Sequence, residues 1–184
     1  MGCAIIGCGK SLPALAVAND DLTQLVDTSD EGITTRTGLK SRRIAVGETN
    51  VDLAEVAARQ AMGLVEGGYC KAPIEPESID LVVYSTCTPD VLVPSCAALV
   101  RRRLGLVNAV AFDVNAACSG FIYAMSVAES MMASSALGVA GAGRRNKVRR
   151  ALVIGSERLT RITNWEDRTT CVLFGDGAGA AILQ

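Results

Sequence analysis

Short apolar runs and helical stripes alternate along this chain, and the switch between the two periods lays out its elements. Residues 3–8 (CAIIGC) read as a first buried strand, ended by Gly9 and then Pro13. Asn19, followed by Asp20 and Asp21, marks a helix start, with a capping side chain and acids beside the positive helix end. Thr28-Ser29-Asp30-Glu31 opens another short helix by the capping-box rule, running to Gly38. Thr49 with Asp52 three residues later opens the clearest amphipathic helix, residues 50–66. Leu53, Val56, Ala57, Ala61, Leu64 and Val65 form its buried face, and Gly67-Gly68 stops it.

Residues 81–87 (LVVYSTC) form a second strand, apolar enough to be covered on both faces. Pro94 suits the first position of a helix carrying Cys96, Leu99, Val100 and Leu104. Residues 109–114 (AVAFDV) make a third strand, leading into a helix from about Cys118 to Leu137. A Gly-, Ala- and Arg-rich loop, 138–149, precedes a fourth strand at 151–155 (ALVIG). Residues 171–174 and 179–183 read as two strands around the turn Gly175-Asp176-Gly177. Strand–helix alternation without a repeat or linker predicts one α/β domain over residues 1–184, a mixed, mostly parallel sheet covered by helices.

Composition narrows the function. At 49% hydrophobic and 20% charged residues the 184-residue chain has the makings of an ordered core, which excludes disorder. Lys plus Arg total 18 against 19 Asp plus Glu, a net charge of -1, so neither nucleic acid nor an anionic membrane is an expected partner. The start lacks the basic and apolar regions of a signal peptide, and no apolar run is long enough to span a bilayer; a reducing, cytoplasmic setting is expected. Seven cysteines, at irregular spacing and without a C-x-x-C pair, argue against a disulfide framework and a zinc cluster. There is no histidine, which removes the Ser-His-Asp triad, a Cys-His dyad within the chain and any His-ligated metal.

Several motifs fail on context. Gly9-Lys10-Ser11 ends like a phosphate loop, but only three residues precede the place of its first glycine and Pro13 blocks the required helix. Gly7-Cys8-Gly9 has Leu12 where a dinucleotide motif needs its third glycine, and Gly175, Gly177 and Gly179 read as turn glycines between strands. Arg101-Arg102-Arg103 ends a helix, where cations suit the dipole, and Arg144, Arg145, Lys147, Arg149 and Arg150 read as a solvated loop able to meet an acidic partner. Cys118 is different. It follows a strand through the small-residue bend Asn115-Ala116-Ala117 at the start of a long helix, where unsatisfied N–H groups favour thiolate. By spacing alone it is either an activated nucleophile for acyl transfer or an inert core cysteine.

Asp113-Val114-Asn115-Ala116-Ala117-Cys118-Ser119-Gly120-Phe121 closely resembles the nucleophile motif of β-ketoacyl-acyl-carrier-protein synthase III, in the thiolase superfamily. The same family is matched by Ile5-Ile6-Gly7 with Leu12-Pro13, by Val26-Asp27-Thr28-Ser29-Asp30-Glu31, and by Thr35-Arg36-Thr37-Gly38. Asp167-Arg168 with Leu173-Phe174-Gly175-Asp176-Gly177-Ala178-Gly179-Ala180 completes the set. The resemblance implies a thiolase-like fold and a condensing enzyme of fatty-acid initiation. Cys118 would accept an acyl group from acyl-CoA, a substrate and not a bound cofactor, and malonyl-acyl carrier protein would supply the carbanion. Thr28, Arg36, Thr37 and Arg168 would line the CoA entrance, the Cys118 N–H would be one oxyanion donor, and the strand 109–114 would mediate a homodimer.

Departures from the family pattern carry expectations of their own. Gly32 stands where relatives usually place a Trp that stacks on adenine, and the loop 138–149 is longer than usual. Val93 replaces a common Phe, which implies room for primers longer than acetyl. The resemblance covers only the N-terminal half of the family's domain; the His and Asn that drive decarboxylation belong to the other half. Alone, the chain is therefore expected not to complete condensation. The alternatives are a non-catalytic thiolase-like subunit and half of a split condensing enzyme acting on other acyl-CoA units.

Overall fold

The computed structural model describes residues 3–134 and 147–184. The chain enters as β1 (Ile5–Ser11), which runs through Gly9 instead of ending there, and continues as β2 (Leu15–Ala18) and α1 (Asn19–Leu22). There follow α2 (Asp30–Thr37), β3 (Ser41–Ile44), α3 (Asn50–Ala61) and the two-residue β4 (Tyr69–Cys70). The second part holds β5 (Leu81–Ser85), α4 (Cys96–Arg103), β6 (Val110–Val114), α5 (Gly120–Ala133), β7 (Ala151–Arg158) and β8 (Asp176–Leu183). Leu137 and residues 138–146, including Arg144 and Arg145, lie outside the described residues.

Six strands form one mixed sheet in the order β4-β1-β8-β7-β5-β6, and β2 pairs with β3 in a separate ribbon. Parallel pairing is confined to β5 with β6 and with β7, while β1–β4, β1–β8 and β7–β8 are antiparallel, so the sheet is mixed but not mostly parallel. The reason is local: residues 159–175 contain no α-helix to carry the chain across the sheet face, and β8 returns directly alongside β7.

Alternation along the central strands divides the core. Val82, Tyr84, Leu152, Ile154 and Ile182 face α3 and α4, whereas Leu81, Val83, Val153 and Leu183 face α5. Each such aliphatic side chain, almost wholly buried, contributes about 1.5–3 kcal/mol of transfer free energy. Close approach of α3 depends on β1 glycines: a Cβ at Gly7 or Gly9 would overlap the carbonyls of Ala61 or Ala57.

Helix α3 has the expected Thr49/Asp52 capping box but ends at Ala61. Its buried stripe is Val51, Leu53, Ala54, Ala57, Ala58 and Ala61, a run of small residues matched to those glycines. Val56 points outward, and Leu64 and Val65 lie past the helix end in an exposed turn, correcting three of the expected core positions. Asn19 is not a helix cap but a buried hub, its Nδ2 donating to Asp30 Oδ1 and the Leu39 carbonyl. Pro94 precedes α4, whose cap is Ser95, the hydroxyl accepting from the Ala98 N–H. Residues 171–174 are not a strand: 171–173 form turns, with the Cys171 N–H bonded to the Asp167 carbonyl, and Asp176 starts β8 instead of sitting in a turn.

Candidate functional site

Cys118 is exposed on a single 3-10 turn, Ala117–Ser119, between the end of β6 and the start of α5. It therefore precedes the helix by two residues instead of beginning it. Ala117 has φ 45°, the one positive φ at a non-glycine position among the described residues, a conformation costing about 1 kcal/mol. The Ser119 N–H donates to the Ala116 carbonyl at 3.1 Å, and the Gly120 N–H to the Ala117 carbonyl. No side chain caps α5 and no acid lies in its first turn, so the positive helix end is left to whatever approaches the thiol. Gly120 is what lets the turn close: a Cβ there would overlap the Ser85 hydroxyl at the end of β5.

The loop after β5 is held against the same region. The Thr86 N–H donates to the Val114 carbonyl at 3.2 Å, continuing the β5–β6 pairing by one residue. Glu157, near the end of β7, accepts from the Cys87 N–H at 2.8 Å, the Thr86 hydroxyl at 3.2 Å and the Thr88 hydroxyl. Beneath it, Asn50 Nδ2 donates to Thr86 Oγ1, the Thr88 carbonyl and the Ser156 carbonyl, and the Tyr84 hydroxyl donates to Asn50 Oδ1. Burial, and then the Glu157 carboxylate, push the Cys87 thiol up from its ordinary range. Burial pushes the Cys96 thiol up to about 11.

A second feature lies between α2, with the residues just before it, and residues 168–173. Thr28, Arg36, Thr37 and Arg168 line one cavity of about 710 Å³, together with Asp27, Gly32 and residues of the 169–173 turn. These four, drawn from segments far apart in sequence, are therefore brought together. Cys118 is not among the lining residues. Ser29 caps α2, accepting from the Gly32 N–H at 3.0 Å, and Gly38 ends the helix at φ 73°. Arg36 folds back to donate to the Gly32 carbonyl at 3.1 Å, and the Thr37 hydroxyl donates to the Ile33 carbonyl at 2.7 Å. Arg168 donates to the carbonyl and carboxylate of Asp27.

Sequence reasoning missed the groups that hold these parts in place. Asp176 is buried and accepts from the Ala45 N–H, the Thr160 N–H and the Thr160 hydroxyl, tying β3 to the segment that leads to Arg168. Arg42 is buried with no ion-pair partner among the described residues, donating to Asn19 Oδ1 and to the carbonyls of Val17 and Val172; its desolvation lowers its pKa. Three residues of the basic clusters are tied into the fold. Arg103 pairs with Asp52 and Glu55, Arg101 caps the carbonyls of Leu106 and Val107, and Arg150 bonds Gln184 and Ser78. No helix among the described residues is long and apolar enough to cross a membrane.

A family model for 3-oxoacyl-[acyl-carrier-protein (ACP)] synthase III matches residues 112–184. The β-ketoacyl-[acyl-carrier-protein] synthase III of Rhodospirillum centenum is 48% identical over 181 residues, 98% of this chain and 50% of that protein. That of Xylella fastidiosa is 49% identical over the same lengths. The crystal structure of 3-oxoacyl-[acyl-carrier-protein] synthase III from Aquifex aeolicus superposes with a TM-score of 0.87 at 45% identity, covering 100% of this chain and 54% of that one. The priming β-ketosynthase of the R1128 polyketide pathway gives 0.84 at 35% identity, with 99% of this chain and 49% of that chain covered. The match runs from β1 to β8 and takes in both the Cys118 turn and the Arg-lined cavity. The chain thus belongs to the β-ketoacyl-[acyl-carrier-protein] synthase III family, and it spans about half the length of the curated relatives it matches.

Proposed function

We propose that this chain is the nucleophile-bearing half of an enzyme that initiates fatty-acid synthesis. The Cys118 thiolate attacks the thioester carbonyl of an acyl-CoA, the tetrahedral oxyanion is met by the Cys118 N–H, and the CoA thiolate leaves. Malonyl-acyl carrier protein then loses carbon dioxide, and its carbanion attacks the acyl-cysteine to give a β-ketoacyl carrier protein. Covalent capture divides one difficult condensation into two accessible steps. The chain contains no histidine, so the groups that promote decarboxylation, a His and an Asn in this reading, come from outside it. Half-length coverage of the relatives supports a second segment or chain completing the site.

The observation that carries the reading is the convergence of Thr28, Arg36, Thr37 and Arg168 on one cavity. Two guanidinium groups there suit the phosphates of CoA, and the pantetheine arm would run from this cavity to Cys118. A homodimer is supported by β6, an edge strand with no partner on its outer side among the described residues, and by the exposed Leu92 and Val93. The test is titration with CoA: exchanging both Arg36 and Arg168 for Ala should weaken binding about tenfold or more, the loss of charge-assisted bonds. Unchanged affinity in that double variant would overturn the cavity's role.

A further inference from the structure

Arg168 reaches the cavity already engaged. Its Nη1 donates both to the Asp27 carbonyl at 3.0 Å and to Asp27 Oδ2 at 3.2 Å. Nε and Nη2, which together form the fork that grips a phosphate in bidentate fashion, have no protein partner among the described residues. The Asp27 side chain is 99% exposed and that of Arg168 63%. An ion pair so open to water adds little to the stability of a fold. Its effect on an arriving anion is another matter, because the carboxylate sits beside the very guanidinium the anion needs. Asp27 also lines the cavity, and its charge cancels half of that brought by Arg36 and Arg168.

We infer that Asp27 is a specificity-determining residue of this cavity: it orients Arg168 through Nη1 and, by its charge, weakens the grip on phosphate-bearing ligands. The inference rests on the reading that the cavity receives the phosphorylated end of CoA. It gives the pair a purpose in a two-stage reaction. Free CoA must leave after the acyl group is captured, and a cavity with full double positive charge would retain it. The carboxylate lowers that retention without removing the fork that recognises the phosphates.

The substitution Asp27→Asn keeps the shape and the oxygen acceptor for Nη1 while deleting the charge. The intact protein and this variant are titrated with CoA and, separately, with pantetheine, which carries no phosphate. At low ionic strength the variant should bind CoA about three- to tenfold more tightly, and the gap should close at about 0.5 M salt as screening takes over. Pantetheine affinity should be the same in both. Equal or weaker CoA binding by the variant overturns the inference, as does an equal gain for pantetheine. Failure of the cavity reading has a separate signature, since the double Arg36→Ala, Arg168→Ala variant would then bind CoA as the parent does.

Discussion

The Asp113 carboxylate accepts the backbone N–H of Cys96 at 2.8 Å and so ties β6 to the first turn of α4. Its second oxygen accepts the N–H of Ala97 at 2.7 Å, which satisfies two of the donors that a helix start leaves open. Asp113 thus secures the end of the strand that releases the chain into the Cys118 turn. Replacing it with Ala should cost about 1–3 kcal/mol, and with Asn less, since one acceptor survives. Urea unfolding at unchanged m-value checks this; equal losses for the two variants would contradict a role by hydrogen bonding and charge.

Gly120 and Ser85 form a steric lock. A Cβ at Gly120 would overlap the Ser85 hydroxyl but lie 3.3 Å from the Ser85 Cβ, a tight yet adjustable contact. Gly120→Ala should therefore destabilise by about 1–3 kcal/mol, as overpacking does, and adding Ser85→Ala should recover most of it. A double-mutant cycle measures the coupling; additive losses would show that the two positions do not meet.

Asp167 gives the turn beside Arg168 an acid limit. Its carboxylate accepts from the Thr169 hydroxyl and N–H and from the Thr170 hydroxyl, in that order of effect, and these bonds hold its pKa below the ordinary carboxylate value. A depressed folded value means the turn's support is complete above about pH 4, the ordinary aspartate range, and is lost as pH falls through the lower folded value. NMR titration of the Asp167 carboxyl should show this low midpoint, and Thr169→Val should raise it. A midpoint indifferent to Thr169 would contradict the account.

Much of this was legible in the sequence because its cues are local. The apolar run at 81–87 became a buried strand over its first five residues, the run at 151–155 became the buried start of β7, and Thr49 with Asp52 formed the expected capping box. Cys118 could be singled out because a strand, a small-residue bend and a helix follow one another within a dozen residues. The β2–β3 ribbon was missed because Arg42 and Arg43 interrupt its alternation, and Arg42 is buried only through carbonyls and an Asn distant in sequence. Asp176 looked like a turn residue for the same kind of reason: its partners, Ala45 and Thr160, are set by the tertiary fold. The cavity likewise joins α2 to residues 168–173, and only the family resemblance grouped Arg168 with Thr28, Arg36 and Thr37 in advance.

Gly32 offers a gain-of-function test. It lines the cavity, and a Cβ there would stand 3.0 Å from Ser29 Oγ and 3.2 Å from Arg36 Nη1, the latter the end of a flexible side chain. Gly32→Trp should give a nucleobase a stacking surface worth about 1–3 kcal/mol, tightening CoA binding. Calorimetric titration reads this directly, and unchanged or weaker binding would show that the base does not lie over α2.

In the proposed function Cys118 is the acyl acceptor. Acetyl-CoA labelled in its acetyl group, incubated with the protein and followed by peptide mapping, tests it most directly. The account predicts label on Cys118, abolished by Cys118→Ala and reduced by exchange of Arg36 and Arg168, with none on the buried Cys96, whose thiol is pushed up to about 11. Label confined to other cysteines, or persisting in Cys118→Ala, would contradict it.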